Sequence, residues 1–352
     1  MPVLDSMEQG TYFPFIRYDL NQIEYRDQGF QTFFAALKQS STHTVRIIHI
    51  GDSHVHADSF TGNVREQLQK IFGRAGHGLA FPFAAAKTHS TRFYTSQAWG
   101  TWRYNQSVFP PNGLPIGLSG AVIETSVPGS SVSMSFYDQT PLQSPIVRVF
   151  CAGDSNSFSA SIQTNSGEKI TARCAAKPGD STSYSLGKEF QSFSMQTIKA
   201  APGENYFRLF GFSLERESPG IIYHSAGING ARFSDLVQRQ SMAPAMIRSI
   251  NPDLVILDMG INEVYTFRDA PQTFESDVRT SISLIRKWNP GLPVLILNLP
   301  EIYVQSTNLN LSDKYTILLR KIADETNCAF YDTYGIAGGR GSMYNWALSG
   351  LA

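Results

Sequence analysis

The stretch Val45–Phe60, VRIIHIGDSHVHADSF, decides how this chain is read. Its β-branched, apolar start suits a strand. The run stops at Gly51-Asp52-Ser53-His54, and from Phe60 to Phe72 the residues Val64, Leu68, Ile71 and Phe72 recur with the helical period. A serine that opens a helix has its oxygen near the positive end of the helix dipole, among backbone N–H groups without intrahelical partners. Two readings fit Ser53: the N-cap of the following helix, or a nucleophile beside an oxyanion site.

Outward from this stretch, two textures alternate. A helical pattern over 27–38 leads into the strand at Val45–Ile50. After about Thr91 and through Glu217 the chain is rich in Ser, Thr, Gly and aromatics, with short alternating segments such as AVIETSV, SVSMSFY, PIVRVFCA, SFSASIQT and NYFRLFGFSL. Turn signals at strand spacing predict a β-sandwich or jelly roll. The first texture returns at Gly220. GIIYHSAG, DLVILDMG, LPVLILNLP and CAFYDTY read as strands. SDLVQRQSMAPAMIRSI, largely helical despite Pro244, TFESDVRTSISLIRKW, capped by Thr273, and SDKYTILLRKIADET read as helices. Strands alternating with helices of crossover length predict a parallel sheet covered on both faces. The expected organisation is an α/β domain of residues 1–92 and 219–352, interrupted by an all-β domain over 93–218.

Whole-chain properties exclude several classes. With 29 Lys+Arg against 29 Asp+Glu the net charge is zero, so no basic field favours nucleic acid. No apolar run approaches the ~20 residues of a membrane span. The start, MPVLDSMEQGTYFPF, lacks the charged and apolar segments of a secretory signal. The chain is therefore expected to be cytosolic or a mature domain without its leader. The three cysteines, Cys151, Cys174 and Cys328, have no metal-ligand spacing, and Cys151 with Cys174 fits either a disulfide or two buried thiols.

In an open parallel sheet, ligands bind beyond the carboxyl ends of the strands. Three such ends carry unusual residues: Gly51-Asp52-Ser53-His54, then SAGINGARFSD with Gly227 and Gly230, then DMGINEVY with Gly260 and Asn262. Singly, each fits a cap or a turn. Together, a serine and three convergent donors make the layout of an acyl-transfer site, with a nucleophile and an oxyanion hole.

These blocks resemble the SGNH (GDSL-type) hydrolases. GDSH is similar to the nucleophile block, GINGA to the glycine block and GINE to the asparagine block. The wider pattern, GDSHVHADSFTGNVREQLQKIFGRAGHG with GGRGSMYNWALSGLA, resembles the branch of peptidoglycan O-acetylesterases that carry a β-domain insertion. The resemblance implies a flavodoxin-like α/β fold. It also implies Ser53 as nucleophile, the N–H groups of Ser53 and Gly230 as oxyanion donors, and Asn262 as the third donor. No cofactor is implied. The Asp-x-x-His block that supplies the general base in that family is absent, since no histidine follows His224. A truncated chain is the expectation, and a non-catalytic homologue is the alternative.

Other candidates carry less. His54 adjoins Ser53, His56 lies about one turn on, and His224 ends a strand near the expected site rim. Packed histidines are the simpler reading of all three. Asp332 lacks a histidine three residues later, and Asp52 is expected to hold the turn through backbone N–H groups. His54, His56 and Asp58 cannot present three metal ligands on one helical face. The glycines Gly73, Gly76 and Gly78 of GRAGHG have no preceding strand and no following Lys-Ser/Thr, so they are not a phosphate loop. The aromatics of FYTSQAWGTWRYNQSVF suit either sugar stacking or packing. The sequence thus predicts a serine esterase acting on an acylated polysaccharide in the periplasm, the cell envelope or outside the cell. It predicts no nucleic-acid partner and no integral membrane segment, and leaves the oligomeric state open. A carbohydrate-binding or scaffolding protein is the alternative.

Overall fold

The computed structural model describes residues 12–26, 28–137, 145–175, 177, 179–267, 273–304 and 307–351. Most of the N-terminal stretch read for a leader, residue 27 of the first helical pattern and Ala352 lie outside them. Helix α1 (Gln28–Lys38) leads to strand β1 (Thr44–Gly51), which ends at α2 (Ser53–Ala57) and α3 (Ser59–Phe72), and strand β2 (Arg74–Ala80) follows. Then come β3 (Tyr94–Trp99), β4 (Arg103–Gln106), β5 (Ala121–Thr125), β6 (Ser131–Phe136), β7 (Pro145–Ala152) and β8 (Ser159–Thr164). They are continued by β9 (Lys169–Ala172), β10 (Ser181–Ser185), β11 (Ser192–Ile198) and β12 (Phe207–Arg216). The α/β alternation resumes with β13 (Gly220–Gly227), a 3-10 helix (Phe233–Arg239), α4 (Ala243–Ile250), β14 (Leu254–Asp258), α5 (Ile261–Phe267) and α6 (Phe274–Trp288). It finishes with β15 (Val294–Leu297), the hairpin β16 (Tyr303–Val304) and β17 (Thr307–Asn308), α7 (Ser312–Glu325), β18 (Ala329–Tyr331), α8 (Thr333–Ile336) and α9 (Ser342–Leu348).

The expected parallel sheet is present, in the order β2-β13-β1-β14-β15-β18. Its strands are apolar on both faces because both are covered. Phe30 and Phe33 of α1 pack with Val45, Ile47, Leu254 and Ile256 on one face, where Val64, Leu68 and Phe72 of α3 join them. Met246 of α4, Val278 and Ile282 of α6 and Leu319 of α7 pack with Ile48, Ile50, Val255 and Leu257 on the other. Each such fully buried side chain contributes roughly 1.5–3 kcal/mol relative to exposure.

Strands β3, β6, β11, β8 and β9 form an antiparallel sheet. It packs against β7 and β12 through contacts such as Phe193 on Phe212, with ring centroids 5.0 Å apart. This is the sandwich expected from the texture of 93–218. Its second layer is continuous with the α/β sheet, however: β12 pairs antiparallel with β2, and β2 pairs parallel with β13. GRAGHG, assigned to no strand from the sequence, supplies most of this joining strand, and register shifts on both sides accommodate its glycines.

Local readings were corrected in three further places. Pro244 lies in the first turn of α4, after a separate 3-10 helix, where its missing N–H costs nothing. Thr273 precedes α6 without a side-chain capping bond. In α3, Ile71 is 45% exposed, while Thr61, Arg65 and Gln69 are buried. They are satisfied there: Thr61 and Arg65 donate to Asp58, which also accepts from Ser225 of β13, and Gln69 donates to the carbonyls of Gly76 and Ile221. Cys151 and Cys174 form a disulfide, which decides between the two readings of that pair. Among the described residues no helix is long and apolar enough to cross a membrane.

Candidate active site

Gly51, the last residue of β1, pairs with Gly227 of β13 on one side and Asp258 of β14 on the other. The loop after β1, the turn after β13 and the start of α5 after β14 therefore open at one edge of the sheet. Asp52, not Ser53, caps α2: its carboxylate accepts from the backbone N–H of His54 at 3.0 Å. Ser53 is the exposed first residue of the helix, and no hydrogen bond among the described residues engages its hydroxyl. The N-cap reading of this serine is thereby removed, and Asp52 holds the turn as expected.

Gly227 lets α2 sit directly on the end of β13. A Cβ there would lie 2.2 Å from His56 N and 2.8 Å from the Asp52 carbonyl oxygen. Gly230 belongs to the next turn, at φ +82. The following Ala231 N–H donates to the Ile228 carbonyl at 3.1 Å, whereas the Gly230 N–H donates to nothing among the described residues. Asn262 is the second residue of α5, and its Nδ2 donates to the Ala231 carbonyl at 2.9 Å and to Oδ2 of Asp52 at 3.2 Å. The asparagine amide thus bridges the glycine turn and the residue preceding the serine.

Ser53 and Asn262 line one cleft of about 850 Å³. His54 and Glu301 add polar groups to it, Ile261, Ile302, Met343 and Ala347 give apolar walls, and Tyr265, Tyr303 and Tyr344 complete it. The three tyrosines are 53%, 37% and 63% exposed. Glu301 is committed to structure: it accepts from the backbone N–H groups of Gly341 and Met343 at 2.7 and 3.0 Å, holding the start of α9 against the cleft.

The histidines separate clearly. His54 lines the cleft, with its side chain 53% exposed and Nδ1 3.1 Å from Oδ1 of Asp52; that hydrogen bond, opposed by partial burial, raises its pKa. His56 is buried against Phe83, its Nε2 lies 2.8 Å from the His89 carbonyl, and burial lowers its pKa. His224 is fully buried, and burial pushes its pKa down to about 3. The expectation that it reaches the site rim is corrected, because its side chain lies inside the sheet. His49 is buried with Nδ1 2.7 Å from the Tyr223 hydroxyl. Asp332 caps α8 and binds Arg320 and Asn298. Among the described residues no histidine is hydrogen-bonded to Ser53. Among the described residues no group of three His, Cys, Asp or Glu could hold a metal ion.

Three features escaped the sequence reading. Tyr265 falls three residues after Asn262, a spacing that puts both on one helical face and carried the signal. Glu263 is buried, and its Oε1 accepts from Phe233 N–H at 2.7 Å. Arg239, fully buried, donates to the carbonyls of Leu118 and Ala226 and so ties the 93–218 segment to the end of β13. The aromatics of 93–109 are largely packing groups: Phe93 lies under Arg65, Tyr94 is buried, and Trp99 is exposed.

Comparison with known proteins agrees with this frame. A model of the GDSL-like lipase/acylhydrolase family matches residues 179–350, which include Gly230 and Asn262. No curated protein matches the chain. A solved structure of a peptidoglycan O-acetylesterase superposes with a TM-score of 0.71 over 92% of this chain and 87% of that one, at 22% identity. At that identity the likeness is one of fold. An acetylxylan esterase from Geobacillus stearothermophilus is 26% identical over 33% of this chain and 56% of that one, with a TM-score of 0.27. A family two carbohydrate esterase from Clostridium thermocellum is 10% identical over 64% and 84%, with a TM-score of 0.26. Over residues 179–350, which carry the glycine and asparagine blocks on the mostly parallel α/β sheet, the chain matches the GDSL-like lipase/acylhydrolase family.

Proposed function

We propose that this protein is a serine esterase that removes O-acetyl or similar short acyl groups from an extracytoplasmic polysaccharide such as peptidoglycan, with Ser53 as nucleophile. The observation that carries the reading is the unengaged Ser53 hydroxyl at the start of α2, in the same cleft as Asn262. Ser53 Oγ attacks the ester carbonyl, and the negative charge that develops on oxygen is met by the N–H groups of Ser53 and Gly230 and by the Asn262 amide, whose N–H on Asp52, the longer of its two contacts, turns to the oxyanion. Collapse expels the sugar hydroxyl and leaves an acyl-serine, which water hydrolyses. The three cleft tyrosines support a glycan substrate, since aromatic faces stack on the apolar faces of sugar rings. The Cys151–Cys174 disulfide supports an oxidising compartment. The segment 93–218 is read as an inserted β unit beside this domain.

A base at the serine is worth on the order of 10²–10⁴ in rate. Because no described histidine is bonded to Ser53, the second reading, a glycan-binding protein that has lost catalysis, stays in competition. The test measures acetate release from O-acetylated peptidoglycan and from 4-nitrophenyl acetate. Residues 1–352 are expected to show slow release that Ser53→Ala abolishes, and any longer form encoded by the reading frame that adds a histidine base is expected to be far faster. Polysaccharide binding with no Ser53-dependent release in any form would favour the binding protein. Rapid turnover lost on His54→Ala would make His54 the base.

A further inference from the structure

Asn262 and the glycine turn are gripped together at a second point. Next to Asn262 on α5, Glu263 accepts from the Phe233 N–H through Oε1 at 2.7 Å. Asn262 itself binds the Ala231 carbonyl two residues earlier in the same segment. The first turn of α5 thus holds Ala231 and Phe233, the stretch that follows Gly230. Glu263 is only 2% exposed, and its Oε2 has no hydrogen-bond partner among the described residues. A buried carboxylate short of donors is costly, so the neutral acid is favoured. In agreement, burial pushes the Glu263 pKa up to about 7, with Asp235 adding to the push and Arg232 opposing it. A neutral carboxyl still accepts through its carbonyl oxygen, so the clamp needs an acceptor and not a charge.

We infer that Glu263 is a positioning residue for acyl transfer, fixing the Gly230 turn to the Asn262 helix so that their two oxyanion donors keep one spacing. The inference rests on the Ser53 esterase reading. Its logic is geometric: these donors act on a charge present only in the transition state, and a displacement of about 1 Å can cost on the order of 10² in rate. Ground-state binding, made by the tyrosines and the apolar walls, does not depend on that spacing. Loss of the clamp should therefore appear in kcat and not in KM.

The experiment compares Glu263→Gln, Glu263→Met and Ser53→Ala with the unaltered chain. It measures kcat and KM on 4-nitrophenyl acetate, and the rate at which a fluorophosphonate labels the serine. Gln keeps a neutral acceptor, and Met fills similar space without one. E263Q is expected within about threefold of the unaltered chain in both readouts. E263M is expected to lose on the order of 10²-fold in kcat and in labelling, with KM within about threefold. Equal kcat in a folded E263M, or an E263Q loss as large as that of E263M, overturns the inference. If E263M proves too unstable to purify, the E263Q labelling rate decides: rates within threefold support the clamp, and a hundredfold loss rejects it. Unchanged turnover and labelling in S53A would instead reject the nucleophile reading, whatever the Glu263 variants do.

Discussion

The amide nitrogen of Asn262 lies 3.2 Å from Oδ2 of Asp52, so the residue before the serine and the third proposed oxyanion donor are directly joined. The same carboxylate accepts from the His54 backbone N–H through Oδ1, with the His54 ring nitrogen 3.1 Å from that oxygen. Asp52 is thus one buried hub holding the start of α2, the cleft imidazole and the asparagine of α5. The turn that presents Ser53, the proposed nucleophile, carries a buried carboxylate.

Replacing Asp52 tests this hub. Asp52→Ala removes a helix N-cap, worth about 1 kcal/mol, and frees the Asn262 amide to rotate. Asp52→Asn can retain the cap through its carbonyl oxygen but cannot accept from both Asn262 and His54. Both variants should lose kcat on the order of 10²-fold, with only the alanine clearly less stable in urea unfolding. Full activity in both variants, with only the alanine less stable, would reduce Asp52 to a cap alone.

The cleft tyrosines should separate polymer recognition from chemistry. Tyr303→Ala and Tyr344→Ala are expected to raise KM for O-acetylated glycan roughly fivefold to tenfold, about 1 kcal/mol of stacking and contact area. Turnover of 4-nitrophenyl acetate, too small to span the cleft, should change less than about threefold. A parallel loss on both substrates would show a structural effect.

Glu263 gives a pH signature in stability. Its folded pKa of about 7 exceeds the unfolded value near 4.5, so between those values the native state holds a proton that the unfolded chain has released. Stability contributed by this group is complete below about pH 4.5 and falls as pH rises towards 7, by at most about 1.4 kcal/mol per unit. Glu263→Gln removes the titration, so its advantage over the unaltered chain should widen from pH 5 to pH 7 in urea unfolding. The buried His56 and His224 act equally in both proteins and cancel. A pH-independent difference would show that Glu263 ionises normally.

The disulfide should be structural. Cys151→Ser with Cys174→Ser is expected to lower unfolding free energy by about 2–4 kcal/mol, as is typical for one native cross-link. Adding a reductant should weaken the unaltered chain and leave the double variant unchanged. No difference between oxidised and reduced protein would remove the disulfide from the argument for compartment.

Local physics made much of this protein legible. Strands β1, β13, β14, β15 and β18 declare themselves because apolar runs buried on both faces have no polar alternation to hide them. Helices α3, α6 and α7 follow from side-chain periodicity. The three blocks at Ser53, Gly230 and Asn262 stand out because special residues follow strand ends, and the sheet topology brings those ends to one edge. What depended on distant partners was not legible. Arg65 and Gln69 look like a solvated face of α3 until Asp58 and the carbonyls of Gly76 and Ile221 receive them. A glycine-rich run becomes β2 only because β12 and β13 flank it and supply the backbone partners its own side chains do not announce. Whether Ser53 caps a helix or stands free turned on one residue of register, settled by the Asp52 carboxylate reaching His54 N–H. Glu263 reads as one more surface acid in GINE; burial and the Phe233 amide, set by the packing of α5 on the glycine turn, are properties only the folded chain possesses.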